Sequence, residues 1–375
     1  MSDLERRAAR LFTVGFAGKA PTGELRDLLA RGVGGVVSFA RNIGSPEEVL
    51  ELNRELKRAA NRPLLLAVDQ EGGRVARLRS GFTELPAMRA VGATGDVSLA
   101  RELGALMGRE LRAVGFDMNY APVLDVDTNP DNPVIGTRSF GRDAARVSDL
   151  GGALAAGLQS AGVAACAKHF PGHGDTSQDS HLELPRLPHA WSRLEEVELA
   201  PFRAAAHTDI AAFMTAHVIF EAVDGQYPAT MSRPVIRGIL REKLGYDGLV
   251  LSDDVEMRAI ADNYGVEEAV IRGLHAGVDH FLVCHTAALA QQAIEAVVRA
   301  VETGEVGIDV LDASTRRFDR VCARFEKPVG SVAGLAALRT TEHRELVARF
   351  AEAPSGADPT EVMARPTVDT RSARP

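Results

Sequence analysis

The chain of 375 residues has few aromatic residues, few lysines and no excess of positive charge. Aromatic residues make up 5% of it, which argues against a surface on which nucleic-acid bases stack. The formal net charge is −8, whereas a protein that binds nucleic acid through its phosphates carries a basic surface. Nearly all positive charge is arginine, because the lysines number five: Lys19, Lys57, Lys168, Lys243 and Lys327. A lysine at any one position is therefore an uncommon choice in this chain.

Long apolar runs and paired cysteines are also missing. No segment reaches the roughly 18 consecutive apolar residues that a membrane span needs. The charged segment Met-Ser-Asp-Leu-Glu-Arg-Arg is not followed by the apolar core of a secretory signal. The three cysteines are far apart and odd in number, so they predict no disulfide framework. We expect a cytoplasmic protein that binds neither membranes nor nucleic acid.

Short apolar runs alternate with amphipathic helical stretches through most of the chain. The predicted strands are Leu11–Phe16, Gly34–Ser38, Leu64–Val68, Asp117–Pro122, Val163–Ala167, Ile210–Thr215, Gly248–Ser252 and His280–Cys284. Strands that are apolar on both faces indicate a parallel sheet covered by helices. Strands repeated in series without a dinucleotide-binding fingerprint favour a closed (β/α)8 barrel of the TIM type over an open, doubly wound sheet.

The sequence also predicts where several helices begin or lie. Ser45, followed by proline and then by glutamate at the third position, predicts a capping box, and so does Ser192 followed by Glu195. The long connection after the third strand predicts an extra helix around Leu99–Val114. The residues near Ile308–Phe325 predict a further helix packed on the outside of the barrel.

The domain prediction is one α/β barrel with a tail. Residues 1–345 are predicted to form a single catalytic domain. Residues 346–375 are rich in proline, alanine, serine and threonine with little periodicity, and we predict that they form a disordered tail. The sequence does not predict an oligomeric state.

Six of the eight predicted strands end in ionisable residues. In barrels of this kind the chemistry lies at the carboxyl ends of the strands. The polar segments there are Asp69–Arg74, Asp125–Asp127 with the loop 132–141, Lys168–His169, His217, Ser252–Asp254 and Cys284–His285. One such aspartate is often a helix cap, and one such histidine is often a hydrogen-bonded loop residue. Their repetition around the barrel indicates a functional site.

Lys168 is the most informative of these residues. It follows the apolar run Val-Ala-Ala-Cys-Ala, so its stem leaves a buried strand. Burying an ammonium group is costly unless a partner compensates its charge. We predict a functional role for this lysine.

The loop after the fifth strand admits two interpretations. Residues 169–185 hold three of the ten histidines within thirteen residues, together with two aspartates. One interpretation is a metal site built from His169, His173, Asp175, Asp179 and His181, although these intervals match no zinc signature. The other is acid–base chemistry. In an extended segment Asp179 and His181 lie on one side, and a carboxylate beside an imidazole orients it for proton transfer near neutral pH.

The segments at 168–176 (KHFPGHGDT) and 179–181 (DSH) resemble the signature of family-three glycoside hydrolases of the β-N-acetylhexosaminidase type. The segment Ser252–Asp254 with Met257 is similar to the nucleophile segment of that family. Residues 69–75 and 136–140 are similar to its sugar-binding segments, and the resemblance covers about residues 10–325.

The resemblance implies a retaining β-N-acetylglucosaminidase that uses no cofactor and no metal. It implies Asp253 as the nucleophile that forms a glycosyl-enzyme intermediate, and His181, held by Asp179, as the general acid/base. Periodicity alone does not choose between Asp253 and Asp254; the family pattern selects the first. The sugar-binding residues it implies are Asp69, Arg77, Arg138, Lys168 and His169. The expected partners are N-acetylglucosamine-containing glycans or muropeptides, in particular N-acetylglucosamine linked to anhydro-muramyl peptides from cell-wall turnover.

Three alternatives stay open at this point. A β-N-acetylglucosaminide phosphorylase would use the same residues, because an imidazole acid/base does not repel incoming phosphate as a carboxylate does. A metal-dependent barrel hydrolase would use the histidines and aspartates of the loop at 169–185. A sugar-binding protein without catalysis would share the fold.

Overall fold

Eight parallel strands close into a barrel in the order of the sequence. The computed structural model describes residues 2–180 and 183–350. The barrel strands are β1 Phe12–Val14, β2 Gly35–Ser38, β3 Leu65–Val68, β4 Met118–Asn119, β5 Ala164–Phe170, β6 Ala212–Thr215, β7 Leu249–Asp254 and β8 His280–Val283. Each strand pairs with its sequence neighbours, and β1 pairs with β8 through Thr13 and Leu282 to complete the circle. The predicted (β/α)8 barrel is confirmed, and each predicted strand overlaps an observed one.

The fourth and fifth strands depart furthest from their predicted bounds. The strand predicted over Asp117–Pro122 is hydrogen-bonded as a regular strand only at Met118–Asn119, and pairing resumes as a bridge between Val123 and Lys168. Pro122 has no N–H to donate, which interrupts the ladder there. The fifth strand extends to Phe170, so Lys168 and His169 belong to the strand itself and not to the loop after it.

Helices surround the barrel. The α-helices are Asp3–Ala9, Gly23–Arg31, Pro46–Ala60, Met88–Thr94, Val97–Ala113, Ala144–Ser160, Trp191–Arg193, Ala200–Ala206, Arg258–Ala261, Val266–Ala276, Ala287–Glu302, Ile308–Phe325 and Thr341–Val347. Wider π-type turns occupy Leu194–Glu198 and Pro234–Lys243, and 3₁₀ turns occupy Ala40–Asn42, Gly136–Arg138, Ala229–Met231 and Val332–Ala337. Short strands Gln70–Gly72 and Val75–Ala76 form a hairpin, and Arg186–Leu187 pairs with Ile219–Phe220. Among the described residues, no helix is both long and apolar enough to span a membrane.

One predicted helix cap is confirmed and the other is wrong. The Ser45 hydroxyl accepts from the Glu48 N–H, and the Glu48 carboxylate accepts from the Ser45 N–H at 2.7 Å. The helix near Ser192 instead begins at Trp191, so Ser192 lies inside its first turn. The ring of Trp191 packs against the core and lies under the Lys243 ammonium at 4.4 Å, which fixes the start of the helix one residue before the serine.

The helix Ile308–Phe325 has the predicted bounds, but it does more than pack on the outside. Phe318, Val321, Cys322 and Phe325 belong to the same apolar cluster as the barrel interior. The Phe318 ring stacks on His280 at the start of β8, with centroids 4.3 Å apart. This helix therefore covers the amino-terminal end of the barrel, and the carboxyl-terminal end is left for the site.

The last described helix, Thr341–Val347, packs against the insertion between β3 and β4. The predicted helix of this insertion is observed at Val97–Ala113, and Glu110 on it accepts a hydrogen bond from the His343 ring at 2.9 Å. His343 lies on the helix Thr341–Val347, which crosses the predicted domain boundary at residue 345. Most of the predicted tail, residues 351–375, lies outside the described residues.

Two helices of 17 residues each, Val97–Ala113 and Ala144–Ser160, meet at glycines. A Cβ added to Gly104 would lie 2.2 Å from the Leu154 carbonyl oxygen, and one added to Gly157 would lie 2.1 Å from the Arg101 carbonyl oxygen. These positions allow Val97–Ala113 and Ala144–Ser160 to approach backbone to backbone. Glycine weakens a helix by about 1 kcal/mol relative to alanine, so close packing is the reason for it here.

We predict opposite effects for two glycine-to-alanine substitutions. Gly104→Ala should lower the free energy of unfolding by about 1–3 kcal/mol, because the new methyl group forces the helices apart. Gly152→Ala is the matched control on the facing helix. A Cβ there meets nothing within 4 Å, so it should raise stability by up to about 1 kcal/mol. Urea denaturation of both variants measures the difference, and equal effects would contradict the packing interpretation.

Candidate active site

A cavity opens at the carboxyl-terminal end of the barrel. Five of the residues predicted for the site line it: Asp69, Arg138, Lys168, His169 and Asp253. They come from different strands or the loops that follow them, and closure of the barrel brings them together. Apolar side chains including Tyr120, Met214, Met257 and Leu282 complete the lining. A concave site with an apolar lining and a few polar groups is the usual form of a small-molecule site.

A buried ion network crosses this cavity from β3 to β5. The Lys168 Nζ lies 2.6 Å from an oxygen of Asp69 and 2.7 Å from an oxygen of Glu71. Arg138 donates two hydrogen bonds of 2.8 Å to the two oxygens of Glu71. Such a bidentate pair fixes the plane of both groups. Lys168 is therefore buried, and its ammonium group is paired with the carboxylates of Asp69 and Glu71.

Mutual compensation keeps Glu71, Lys168 and Arg138 charged. Burial by itself would raise the pKa of Glu71, but Arg138 and Lys168 outweigh burial and hold that pKa below its usual range. Burial would lower the pKa of Lys168, but Asp69 and Glu71 raise it. Burial would also lower the pKa of Arg138, and Glu71 reverses the effect. The site therefore presents fixed charges at neutral pH.

Arg77 packs against this network at Asp69. Its guanidinium is buried, lies 3.7 Å from Asp69 and lies over the ring of Phe39, which lines the cavity. The structure thus places Arg77 against Asp69, where it orients the carboxylate, while Asp69 itself faces the cavity.

Asp125 organises the end of β5. Its carboxylate accepts from the backbone N–H of His169 at 3.1 Å, from the ring Nδ1 of His169 at 2.7 Å and from the backbone N–H of His173 at 2.7 Å. Burial would raise the pKa of Asp125, and His169 lowers it. Because Nδ1 of His169 donates to this carboxylate, Nε2 is the nitrogen that can meet a ligand. The peptide bond between Lys168 and His169 is cis.

Two described histidines, His173 in the long loop and His189 after it, are engaged by protein groups. The ring nitrogens of His173 contact Thr176 and Ser180 hydroxyls at 2.8 and 2.9 Å, and Asp175 pairs with His189. Within residues 2–180 and 183–350, no group of three or more histidine, cysteine, aspartate or glutamate side chains is arranged to hold a metal ion. The metal interpretation of the loop gains no support from this arrangement.

The two aspartates at the end of β7 have different surroundings. Asp254 accepts backbone hydrogen bonds from Glu256 and Cys284 and lies 3.3 Å from the His285 ring. Asp253 is partly exposed to the cavity and accepts from the Asp254 N–H at 2.8 Å. Burial would raise the pKa of Asp253, but His169, His217 and Lys168 lower it below its usual value, so its carboxylate is ionised at neutral pH. Geometry favours Asp253 as the group that can reach a ligand.

The remaining predicted residues have different outcomes. His217 is a hydrogen-bonded histidine, as its position suggested, because its ring contacts the Thr230 hydroxyl and the Asp254 carbonyl. Asp179 is half-buried beside Ser180, which lines the cavity. His181 lies outside the described residues.

Two buried carboxylates that hold other side chains of the site were not among the predicted site residues. Glu71 and Asp125 are nearly or fully buried and hold the side chains that face the cavity. Both lie in the polar segments predicted at strand ends, Asp69–Arg74 and Asp125–Asp127, but the sequence assigned neither of them a role. Their roles depend on partners far away in the sequence, which a strand-end pattern does not supply.

Comparison with known proteins identifies the family. Residues 3–321 match the model described as the glycosyl hydrolase family 3 N-terminal domain. The chain belongs to this family and is a glycosidase. It is 44% identical to a β-hexosaminidase of Thiobacillus denitrificans, over 70% of this chain and 74% of the relative. It is 45% identical to one of Pseudomonas aeruginosa, over 71% and 80% of the two chains.

Solved structures of the family agree with the observed barrel. A family 3 β-N-acetylglucosaminidase of a Paenibacillus species superposes with a TM-score of 0.90 at 44% identity, covering 93% of this chain and 68% of that one. NagZ of Neisseria gonorrhoeae in complex with N-trifluoroacetyl-D-glucosamine superposes with a TM-score of 0.77 at 33% identity, covering 90% and 96%. The resemblance stated from the sequence is thereby confirmed.

We predict that Glu71→Gln is strongly destabilising. It leaves Lys168 and Arg138 with less compensation in a buried place, and breaking such a buried pair costs about 3–5 kcal/mol. Urea denaturation near pH 7 measures this loss. Glu84→Gln is the control, because Glu84 is exposed on the neighbouring loop and should change stability by less than about 0.5 kcal/mol.

The loss of folding stability in Glu71→Gln should also depend on pH. The folded pKa of Glu71 lies below its usual value, so the unfolded chain takes up the proton first as the pH falls. The advantage of the wild type over Glu71→Gln should be complete above about pH 4.3 and should shrink as the pH falls further. A difference that grows on acidification would contradict the assignment.

Proposed function

We propose that the protein is a retaining β-N-acetylglucosaminidase that removes terminal β-linked N-acetylglucosamine. The observation that carries the proposal is the cavity in which the partly exposed Asp253 carboxylate faces the paired groups Asp69, Lys168 and His169. The names of the similar proteins, β-hexosaminidase and β-N-acetylglucosaminidase, support the sugar assignment.

Asp253 is the proposed nucleophile. It attacks the anomeric carbon, the glycosidic bond to the leaving oxygen breaks, and a covalent glycosyl-enzyme forms that water then hydrolyses with net retention. Its lowered pKa supports this role, since the nucleophile must be a carboxylate. Asp254 is a poor candidate because hydrogen bonds to Glu256 and Cys284 hold its carboxylate.

His181 is the proposed general acid/base, with Asp179 as the carboxylate that orients it. Retaining glycosidases usually place a second carboxyl group about 5–5.5 Å from the nucleophile. An imidazole with an unperturbed pKa of about 6.5 can instead donate a proton to the leaving oxygen and take one from water near neutral pH. This assignment rests on the segment at 179–181 (DSH), whose middle residue, Ser180, lines the cavity.

Asp69, Arg138, Lys168 and His169 are the proposed sugar-binding residues, with Arg77 acting through Asp69. A carboxylate accepts hydroxyl protons and an ammonium donates to hydroxyl oxygens, and such charge-assisted bonds are strong in a partly dry pocket. Because the network fixes these groups before a ligand arrives, little ordering is required on binding.

The proposed substrates are muropeptide fragments of peptidoglycan turnover that carry N-acetylglucosamine. The proposed compartment is the cytoplasm. Three free, buried cysteines are compatible with a reducing environment.

We predict that Asp253→Ala lowers kcat/KM on an aryl N-acetyl-β-glucosaminide by at least about a thousandfold, because loss of a nucleophile removes the covalent route. Asp262→Ala is the control, since Asp262 is exposed and forms a surface pair with Arg258. A fluorosugar trap followed by peptide mapping should label Asp253. Undiminished hydrolysis by Asp253→Ala, or a label on another residue, would overturn the assignment.

The rate at which a fluorosugar labels Asp253 should vary little as the pH falls. A fluorosugar with a good leaving group needs no general acid, so its rate reports the ionisation of the nucleophile. Since the pKa of Asp253 lies below its usual value of about 3.9, labelling should continue unchanged from pH 7 to about pH 4.5. A rate that titrates away between pH 6 and 5 would contradict an ionised Asp253.

Product analysis separates hydrolysis from phosphorolysis. We expect free N-acetylglucosamine both with and without inorganic phosphate. A sugar 1-phosphate formed only when phosphate is present would instead establish the phosphorylase that the sequence left open.

A further inference from the structure

Two aromatic rings close one side of the cavity, away from the ion network around Lys168. Phe39 directly follows β2, His285 lies at the end of β8, and both line the cavity. Their ring centroids are 5.4 Å apart, and the ring planes are tilted by 37°. We call this pair the aromatic wall. It spans the end of β1, because β1 lies between β8 and β2 in the closed barrel.

The Phe39 half of the aromatic wall is held from below and from the side. A Cβ added to Gly15, directly after β1, would lie 1.9 Å from the Cys284 carbonyl oxygen, so the backbones of β1 and β8 are in close contact there. Arg41 donates to the carbonyls of Phe16 at 2.8 Å and Cys284 at 2.7 Å. The Arg41 guanidinium lies 4.4 Å from the centre of the Phe39 ring. The ring is thereby fixed across the end of β1.

The His285 half is held by two carboxylates that follow β7 or end it. The Nε2 atom of His285 lies 3.3 Å from one oxygen of Asp254, and the other oxygen accepts from the Cys284 N–H at 3.2 Å. The Glu256 carboxylate accepts from the His285 backbone N–H at 2.5 Å. The His285 side chain keeps 21% of its surface exposed. Its position is therefore fixed although its ring remains accessible from the cavity.

Asp254 also decides which nitrogen of His285 can meet a ligand. A carboxylate beside Nε2 favours the tautomer that carries its proton there, and Nδ1 of the neutral ring is then a hydrogen-bond acceptor. Within residues 2–180 and 183–350, no group forms a hydrogen bond with this Nδ1. The imidazole can therefore accept a hydrogen bond from a ligand.

The chemistry of this side of the cavity suits one substituent of the sugar better than the other. The described lining residues from β8 and β2 that accompany His285 carry no strong hydrogen-bond donor: Val37, Phe39, Leu282 and Cys284. An acetamido group placed here would leave its carbonyl oxygen without a donor, which is costly in a buried place. A hydroxymethyl group has an apolar carbon and a hydroxyl that can donate, and the aromatic wall offers an apolar ring and an acceptor.

We propose that His285 binds the C6 hydroxyl of the terminal sugar through Nδ1, with Phe39 packed against the C6 carbon and Asp254 as the residue that positions the imidazole. This inference rests on the proposed function, because it requires a terminal sugar whose anomeric carbon faces Asp253 on the neighbouring strand β7. It gives the two consecutive aspartates separate roles, since the first faces the reacting carbon and the second orients a substrate-binding ring.

The test compares a nitrophenyl N-acetyl-β-glucosaminide with its 6-deoxy analogue in variants of the full chain. The leaving group is the same, so the ratio of the two kcat/KM values reports the C6 hydroxyl alone. We expect the wild type to prefer the parent substrate by about 3–10-fold, as one hydrogen bond allows, and His285→Ala to reduce this preference to less than about twofold. His275→Ala is the matched control, because His275 is exposed on the helix Val266–Ala276, and it should keep the wild-type ratio.

A second pair of variants tests the positioning role of Asp254. In Asp254→Asn the amide oxygen can still accept from the backbone, but the side chain no longer fixes the tautomer of His285. It should lower the preference for the parent substrate in the wild-type background and leave the ratio unchanged in a His285→Ala background, since the two residues act through one contact. A merely structural role would slow both substrates equally and keep the wild-type ratio, which would contradict the positioning role.

The outcomes separate this inference from the proposed function. A wild type that does not hydrolyse the parent substrate refutes the proposed function itself. If it does hydrolyse it, the inference alone is overturned by a wild type without preference for the C6 hydroxyl, or by a full preference retained in His285→Ala. It is also overturned if His285→Ala instead loses the preference for the N-acetyl-β-glucosaminide over the plain β-glucoside, which would place the ring at the C2 substituent. His285→Gln, whose amide oxygen can accept the same hydroxyl, should recover part of the ratio, and a ratio measured within one variant does not depend on its folded fraction.

Discussion

The ion network around Lys168 is the constraint on which the site depends. An ammonium at the end of a buried strand is tolerable only with opposite charges beside it, and Asp69 and Glu71 supply them from the segment after β3. Glu71 in turn requires Arg138 from the loop after β4. Three consecutive parts of the barrel are thereby fixed relative to one another, and the groups proposed to bind sugar stand in place before a ligand arrives.

Asp125 has the same function for the loop that carries the proposed acid/base. Its carboxylate holds the His169 ring and the backbone of both His169 and His173. Through His173 the restraint reaches Ser180, at the edge of the proposed dyad. Fixed groups of this kind favour catalysis because they require no rearrangement while charge develops in the transition state.

Particular elements show how much of the fold can be predicted from the sequence. The barrel strands, the capped helix at Pro46–Ala60 and the helix Ile308–Phe325 follow from periodicity and capping signals, which are local. The cap predicted at Ser192 is wrong because the packing of Trp191, a tertiary contact, fixes the helix start. The helix Met88–Thr94 was not predicted; the residue before it, Ala87, provides no side-chain cap.

The sequence by itself determined the fold class, the family and the positions at which polar groups leave the strands, because alternation and motif order are encoded along the chain. Only the tertiary structure decided which of those groups meet. It paired Lys168 with Glu71, placed Arg77 behind Asp69, and engaged Asp254 while leaving Asp253 partly exposed. The physical reason is that charge compensation and burial are properties of residues distant in sequence, and barrel closure alone brings them within hydrogen-bonding distance.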